Sequence, residues 1–231
     1  MRWKIVKKPK IILMRHCQSE WNKKNVFTGW VDIPLSSQGI QEALDVGQKL
    51  ANQPIDVIFV SSLIRCHMTA FLAMSQHKGG KVPVFVHEEG TSLRQLSMIY
   101  DPKTEAGTIP VYASTALNER MYGQLQGLSK QETVEKFGAE QVKMWRRSYD
   151  TMPPGGESLS MTAGRAVPYF NEKILPLFRE GKTVFVCAHG NSLRAIVMNV
   201  LGLTKEQILN FEIAPSELVI LSEDNGRWIR E

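Results

Sequence analysis

The sequence is short of cysteine, of long apolar runs and of metal-binding histidine spacings, and each shortage narrows what it can encode. Its three cysteines, Cys17, Cys66 and Cys187, form neither an even disulfide set nor a metal-ligand spacing, which suits a reducing compartment. No apolar stretch approaches the roughly 20 residues that a bilayer crossing needs. The basic start is followed by only four apolar residues, Ile11 to Met14, too few for a signal peptide. A soluble, cytoplasmic protein with no membrane partner is therefore expected. The histidines include no His-x-x-x-His helical pair, so no metal is expected, and no Gly-x-Gly-x-x-Gly turn follows a strand, which argues against a dinucleotide. A strong charge of one sign is also missing from the body of the chain. The formal charge of +5 is matched by Arg2, Lys4, Lys7, Lys8 and Lys10, which precede the first acid. Such an arm reads as a solvated tail, and no nucleic-acid partner is expected.

What is present is a pattern used twice. Ile11-Ile12-Leu13-Met14 runs into Arg15-His16, and Thr183-Val184-Phe185-Val186-Cys187-Ala188 runs into His189-Gly190-Asn191-Ser192. Each reads as a buried strand ending in a histidine. In open α/β sheets, ligands sit at the carboxyl ends of the strands, so the two rings are expected to face one pocket.

Apolar strands at 57–60 and 82–86 alternate with helical stretches. The expected fold is α/β, a mostly parallel central sheet flanked by helices on both faces, forming one domain over residues 1–231. Ser36 should cap a helix from about Ser37 to Leu50, with Ile40, Ala43, Leu44 and Gly47 on one face. A helix from about Leu63 to Gln76 carries Arg65 in its first turn, where a cation does not help the dipole and suggests a nearby anion. Residues 88–114, broken by Asp101-Pro102, Gly107 and Pro110, read as a variable insertion or mobile loop near the site. A helical region spans Ser129 to Tyr149, opened by a capping box from Ser129 to Glu132. A helix over Glu157 to Arg179 should be kinked or shortened at Pro168 and Pro176. Another covers Ser192 to Leu201, and a hairpin closes around Asp224-Asn225-Gly226.

A neutral imidazole is a competent nucleophile toward phosphorus once the phosphoryl charge is neutralised. Arg15 adjoins His16, Arg65 can approach from the next helix, and arginine's planar fork suits a phosphoryl group. The amides that open the helix at Asn191 favour an anion, His189 can donate to a phosphoryl oxygen, and Glu119 is a candidate acid/base. Singly, each has a plainer account: a strand-end histidine, a solvated Arg146-Arg147 face with Trp145 packed inside, a local Glu119–Arg120 pair. Cys66 and Cys187 read as small buried hydrophobes. It is the joint occurrence of the polar groups that points to phosphoryl chemistry.

The run Arg15-His16-x-x-Ser19-x-Trp21-Asn22 resembles the opening motif of the histidine phosphatase superfamily. The fuller pattern resembles its cofactor-dependent phosphoglycerate mutase branch, through residues 27–32, 117–123, 127–130, 145–149 and 188–194. The resemblance runs from Lys10 to about Leu221. It implies interconversion of 2- and 3-phosphoglycerate in glycolysis and gluconeogenesis, primed by 2,3-bisphosphoglycerate and without a metal. By the same resemblance His16 carries the phosphoryl group, Glu119 shuttles the proton and His189 stabilises the group in transfer, with Arg15, Arg65 and Asn22 around it. Arg120, Tyr122, Lys130, Arg146 and Arg147 hold the distal anionic end. Thr28 and Gly29 line the cleft, and Ser19, Gly190 and Asn191 complete the binding set. A homodimer or higher homo-oligomer stays open.

Two alternatives stand beside this one: a phosphatase of the same fold acting on a phosphorylated metabolite, and a non-catalytic anion-binding derivative. Lys130 and the Arg146-Arg147 pair argue against the first. The second has only Cys17, which stands where the family has Gly. If that thiol pointed away from the pocket, the change would be nearly silent; if it faced the pocket beside Arg15, its pKa would fall. The expectation is an active enzyme that loses activity on thiol oxidation or alkylation.

Overall fold

The apolar runs at 11–14, 57–61 and 184–188 become strands because helices cover both faces of the sheet there, and every residue of these runs is buried. The computed structural model describes residues 8–231 apart from residue 88. Arg2, Lys4 and Lys7 of the basic arm lie outside the described residues. The strands are β1 (Ile11–Arg15), β2 (Val57–Ser61), β3 (Val82–Phe85), β4 (Thr108–Ser114), β5 (Val184–Ala188), β6 (Leu218–Asp224) and β7 (Arg227–Arg230). They form one sheet in the order β3-β4-β2-β5-β1-β6-β7. The first five in that order run parallel; β6 is antiparallel to β1, and β7 to β6. Alternation along β1 sends Ile11 and Leu13 into one core and Ile12 and Met14 into the other. The closing hairpin turns at Asn225 and Gly226, both at positive φ (49° and 79°), the backbone of a type I′ turn.

Helices α1 (Glu20–Lys23), α2 (Ser37–Leu50) and α3 (Ile64–Met74) link the first strands. Ser36 caps α2 as expected, its hydroxyl accepting from the Gly39 amide, but the buried face is Gly39, Ala43, Val46, Gly47 and Leu50. Ile40 is exposed, so the apolar stripe lies rotated from the expected one. The expected loop over residues 88–114 needs a larger correction. Its last seven residues are β4, inserted between β3 and β2 inside the sheet. Pro110 concealed this strand, because proline cannot donate to a ladder and normally argues against an interior position. Asp101-Pro102, taken as a breaker, instead starts α4 (Pro102–Ala106), with Asp101 capping the Thr104 amide and proline at the first turn.

The region Ser129–Tyr149 is two helices, α5 (Lys130–Phe137) and α6 (Ala139–Arg147), parted at Gly138, whose φ of 83° is left-handed. Ser129 does cap α5. The stretch beyond Glu157 forms α7 (Leu159–Tyr169), a π-turn over Phe170–Ile174, and α8 (Leu175–Arg179). The break falls between Pro168 and Pro176, where the missing amides disrupt the i→i−4 ladder. After β5 come α9 (Gly190–Leu201) and α10 (Lys205–Asn210), the latter capped by Thr204 and not anticipated.

Candidate active site

Adjacent parallel strands bring the two histidines together. Arg15 on β1 registers with Ala188 on β5, and the His16 amide donates to the Ala188 carbonyl at 3.0 Å. The imidazoles of His16 and His189 then meet edge to face, centroids 5.0 Å apart. Both are buried. His16 Nδ1 lies 2.7 Å from the Cys17 carbonyl, which can only accept, so Nδ1 carries the proton and Nε2 keeps its lone pair. Burial, then Arg65, then Arg15 hold the His16 pKa well below the usual range. Burial and the same two arginines, with His16 itself, do likewise for His189. Both rings are therefore neutral at pH 7. His189 Nε2 lies 2.8 Å from Ser61 Oγ and 3.3 Å from Cys66 Sγ.

Arg65 comes from the first turn of α3, whose N-terminal amide at Ile64 donates to Asp32 Oδ1 at 2.6 Å. Its guanidinium donates to the Gly29 carbonyl at 2.7 Å and the Val31 carbonyl at 2.9 Å, while Nε has no partner. Gly29 is needed there. Its φ is +53°, and a Cβ would fall 2.1 Å from Gln126 Oε1, which accepts from the Trp30 amide.

Two cavities adjoin, both lined by Arg15, Glu119, Tyr122 and Lys130. The smaller, about 80 Å³, adds His16, Asn22, Thr28, Gly29 and Arg65. The larger, about 150 Å³, adds Arg146, Arg147, Gly190, Asn191, Arg194 and Glu212. Trp145 and Val142 pack with Phe27 and Leu125, and this small core carries the end of α6 and its two arginines to the larger cavity. Lys130 is half-buried; burial, Arg146 and Arg15 all lower its pKa. Glu119 sits at the junction of the cavities. Its Oε1 accepts from the amides of Arg120 (2.7 Å) and Asn191 (3.2 Å) and from Asn191 Nδ2 (2.9 Å).

Three of the expected residues line neither cavity. Ser19 caps α1 in a capping box with Asn22. Arg120, fully buried, donates to Tyr122 Oη at 3.2 Å and to the Arg146 carbonyl at 3.1 Å. His189 reaches the site only through its contact with the His16 ring. Conversely, Arg194 was not anticipated. It lines the larger cavity and donates to Asn191 Oδ1 at 3.4 Å, fixing the amide whose Nδ2 holds Glu119. Its position three residues beyond Asn191, on the same face of α9, was the available signal.

Cys17 corrects another expectation. Its side chain is fully buried among Ile12, Met14, Leu35 and Ala43, outside both cavities. Burial pushes its thiol up to about 12, against the lowering by its bond to Thr69. A thiol held protonated in the core is not poised for oxidation.

The model of the histidine phosphatase superfamily, branch 1, matches residues 11–89 and 100–231. A protein of Protochlamydia amoebophila named 2,3-bisphosphoglycerate-dependent phosphoglycerate mutase is 53% identical over 222 residues, 96% of this chain and 98% of its own length. One of the same name from Chlamydia muridarum is 53% identical over 210 residues, 91% of this chain and 92% of its own. Among solved structures, a mycobacterial glucosyl-3-phosphoglycerate phosphatase superposes with a TM-score of 0.72 at 23% identity, over 96% of this chain and 97% of that one. The α-ribazole phosphatase of Shigella flexneri gives 0.72 at 17%, over 96% and 94%. These two share the fold. With two histidines at adjacent strand ends and a family match over nearly all of its length, the chain belongs to the histidine phosphatase superfamily.

Proposed function

We propose that this protein is a 2,3-bisphosphoglycerate-dependent phosphoglycerate mutase, a cytoplasmic enzyme that interconverts 2- and 3-phosphoglycerate in glycolysis and gluconeogenesis. The name borne by the relatives at 53% identity supports this. The observation that carries it is the joined pair of cavities, one holding His16 and the other Arg146, Arg147 and Arg194. A mutase must hold a bisphosphorylated intermediate by both ends while it reorients, and a second cationic cluster does that. Six basic side chains line the two cavities against Glu119 and Glu212, which suits a small polyanion.

In this mechanism His16 Nε2 attacks the phosphorus of the bisphosphorylated primer. The P–O bond breaks, and the leaving oxygen takes a proton from Glu119. Arg15 and Arg65 neutralise the phosphoryl charge, and His189, uncharged, stabilises the group in transfer through its contact with the His16 ring. In the return step Glu119 takes the proton from the free hydroxyl of a bound monophosphate. That oxygen attacks the phosphohistidine, the P–N bond breaks, and Nε2 recovers its lone pair. Lys130, Arg146, Arg147 and Arg194 keep the distal anionic group bound while the two ends exchange. Asn22, Thr28, Gly29, Gly190 and Asn191 shape the walls, and Ser19 and Arg120 support Asn22, Tyr122 and Arg146.

The test is turnover of 3-phosphoglycerate with and without 2,3-bisphosphoglycerate, together with labelling from the bisphosphate. Primer-dependent turnover is expected, with an acid-labile, alkali-stable label that disappears in His16→Ala. Phosphate release faster than isomerisation would favour a phosphatase. Binding without labelling would favour the non-catalytic derivative.

A further inference from the structure

Arg165 lies on α7, lines neither cavity, and has a bond for each of its five N–H groups. Nε and Nη2 grip Glu157 in a two-point fork, at 2.9 Å to Oε1 and 2.8 Å to Oε2. The second Nη2 hydrogen goes to the Glu119 carbonyl at 2.8 Å. Nη1 donates to the carbonyls of Ala116 and Asn118, each at 2.9 Å, with Thr115 more distant at 3.3 Å. Glu157 completes the grip from the other side, its Oε2 accepting from the Met121 amide at 3.0 Å and from the Thr162 hydroxyl at 3.3 Å. One ion pair therefore binds the backbone at 116, 118, 119 and 121, on both sides of the proposed acid/base.

Two neighbours tighten the same segment. Trp30 Nε1 donates to the Glu119 carbonyl at 2.5 Å, and the Arg165 guanidinium lies 5.3 Å from the centroid of the Trp30 ring. Asn118 Oδ1 accepts from the amide and hydroxyl of Ser62, tying the segment to the end of β2. The Arg165 and Glu157 side chains are only 19% and 16% exposed. Such a pair adds little stability over apolar residues of the same size, so its worth lies in what it orients.

We propose that Arg165 and Glu157 are positioning residues for the proton-transfer step, acting through the backbone of Glu119 without touching substrate. The proposal rests on the acid/base assignment of Glu119 above. An acid/base displaced by about 1 Å loses on the order of a hundredfold in rate. Arg165→Lys keeps the charge but cannot reproduce the five-donor fork. It is expected to lower kcat ten- to hundredfold, leave KM for 3-phosphoglycerate within about twofold, and move the limb of the pH–rate profile that Glu119→Gln abolishes.

The deciding experiment is a double-mutant cycle of Arg165→Lys, with Glu157→Gln as a second entry, in wild-type and Glu119→Gln backgrounds, with thermal melts of every variant. Loss in the wild-type background and none in Glu119→Gln supports positioning. Equal fold losses in both backgrounds, or losses that merely track melting temperature, overturn it and leave a structural pair. Full turnover in Glu119→Gln alone rejects the acid/base assignment, and the positioning role with it. That outcome is distinct from additive losses, which reject positioning alone.

Discussion

Lowering the pH from about 7.5 to about 5.5 should destabilise the fold through the two facing histidines. Both rings are buried and neutral in the folded state, with pKa values held well below the unfolded value of about 6.5. Between the folded and unfolded values the unfolded chain binds more protons, so stability is complete above about pH 6.5 and falls as pH falls. One unit below the unfolded value, each ring forfeits at most about 1.4 kcal/mol, and the pair at most about 3 kcal/mol. For a chain of this size that is a melting-temperature drop of roughly 6–12 °C. His67, half-buried and also lowered by burial, has the same sign and adds a smaller share. Glu157 is lowered despite its burial, because Arg165 and the Met121 amide hold it as a carboxylate, so its contribution is lost only below about pH 4.5. The assay is a set of thermal melts across this range for the wild type, His16→Asn and His16→Asn/His189→Asn. Each replacement should flatten the slope by about half of the pair's contribution. A flat wild-type profile, or an unchanged slope in the double variant, would refute the reasoning.

Replacing Arg146 or Arg147 by alanine should impair isomerisation ten- to hundredfold, since a charge-assisted contact is worth about 1.5–3 kcal/mol, and hydrolysis of a simple phosphate ester much less; equal losses would place the pair in the reacting pocket. Cys17 should resist alkylation at neutral pH in the folded protein and react once urea exposes it, as mass spectrometry would show, and Cys17→Gly should not change inhibitor sensitivity. Glu212→Gln should lower KM for phosphoglycerate severalfold by freeing Arg147 from its ion pair, and an unchanged KM under low salt would mean that the pair does not compete with substrate.

Both strand-end histidines, the Ser36 cap and the Asn-Gly hairpin were legible because each is a local pattern with a local cause. β4 was not, because Pro110 speaks against an interior strand and only its neighbours on both sides override it. Nor was the break at Gly138, since helical periodicity continues across a single glycine. The cationic cluster was legible where a family motif carried it. Arg165 and Glu157 escaped because they reach the site only through other residues: the pairings 165 to 119 and 157 to 121 join segments that only the packing of α7 brings together. The thiol sensitivity expected of Cys17 failed for a related reason, since sequence places it beside His16 and the fold turns its side chain into the core.

The neighbours of β1 carry a consequence for the order of assembly. The strand that delivers His16 is made well before β5 and β6, yet among the described residues these are the strands it pairs with. During synthesis its apolar face must wait unpaired while the intervening chain emerges, and contacts of such long sequence separation form slowly. A ribosome-bound chain ending before β5 holds Arg15, His16, Arg65 and Glu119 but lacks the strand that seats them. The proposed site is thus completed by the strands made last of those around it, and a half-made chain holds its residues without the sheet that brings them together.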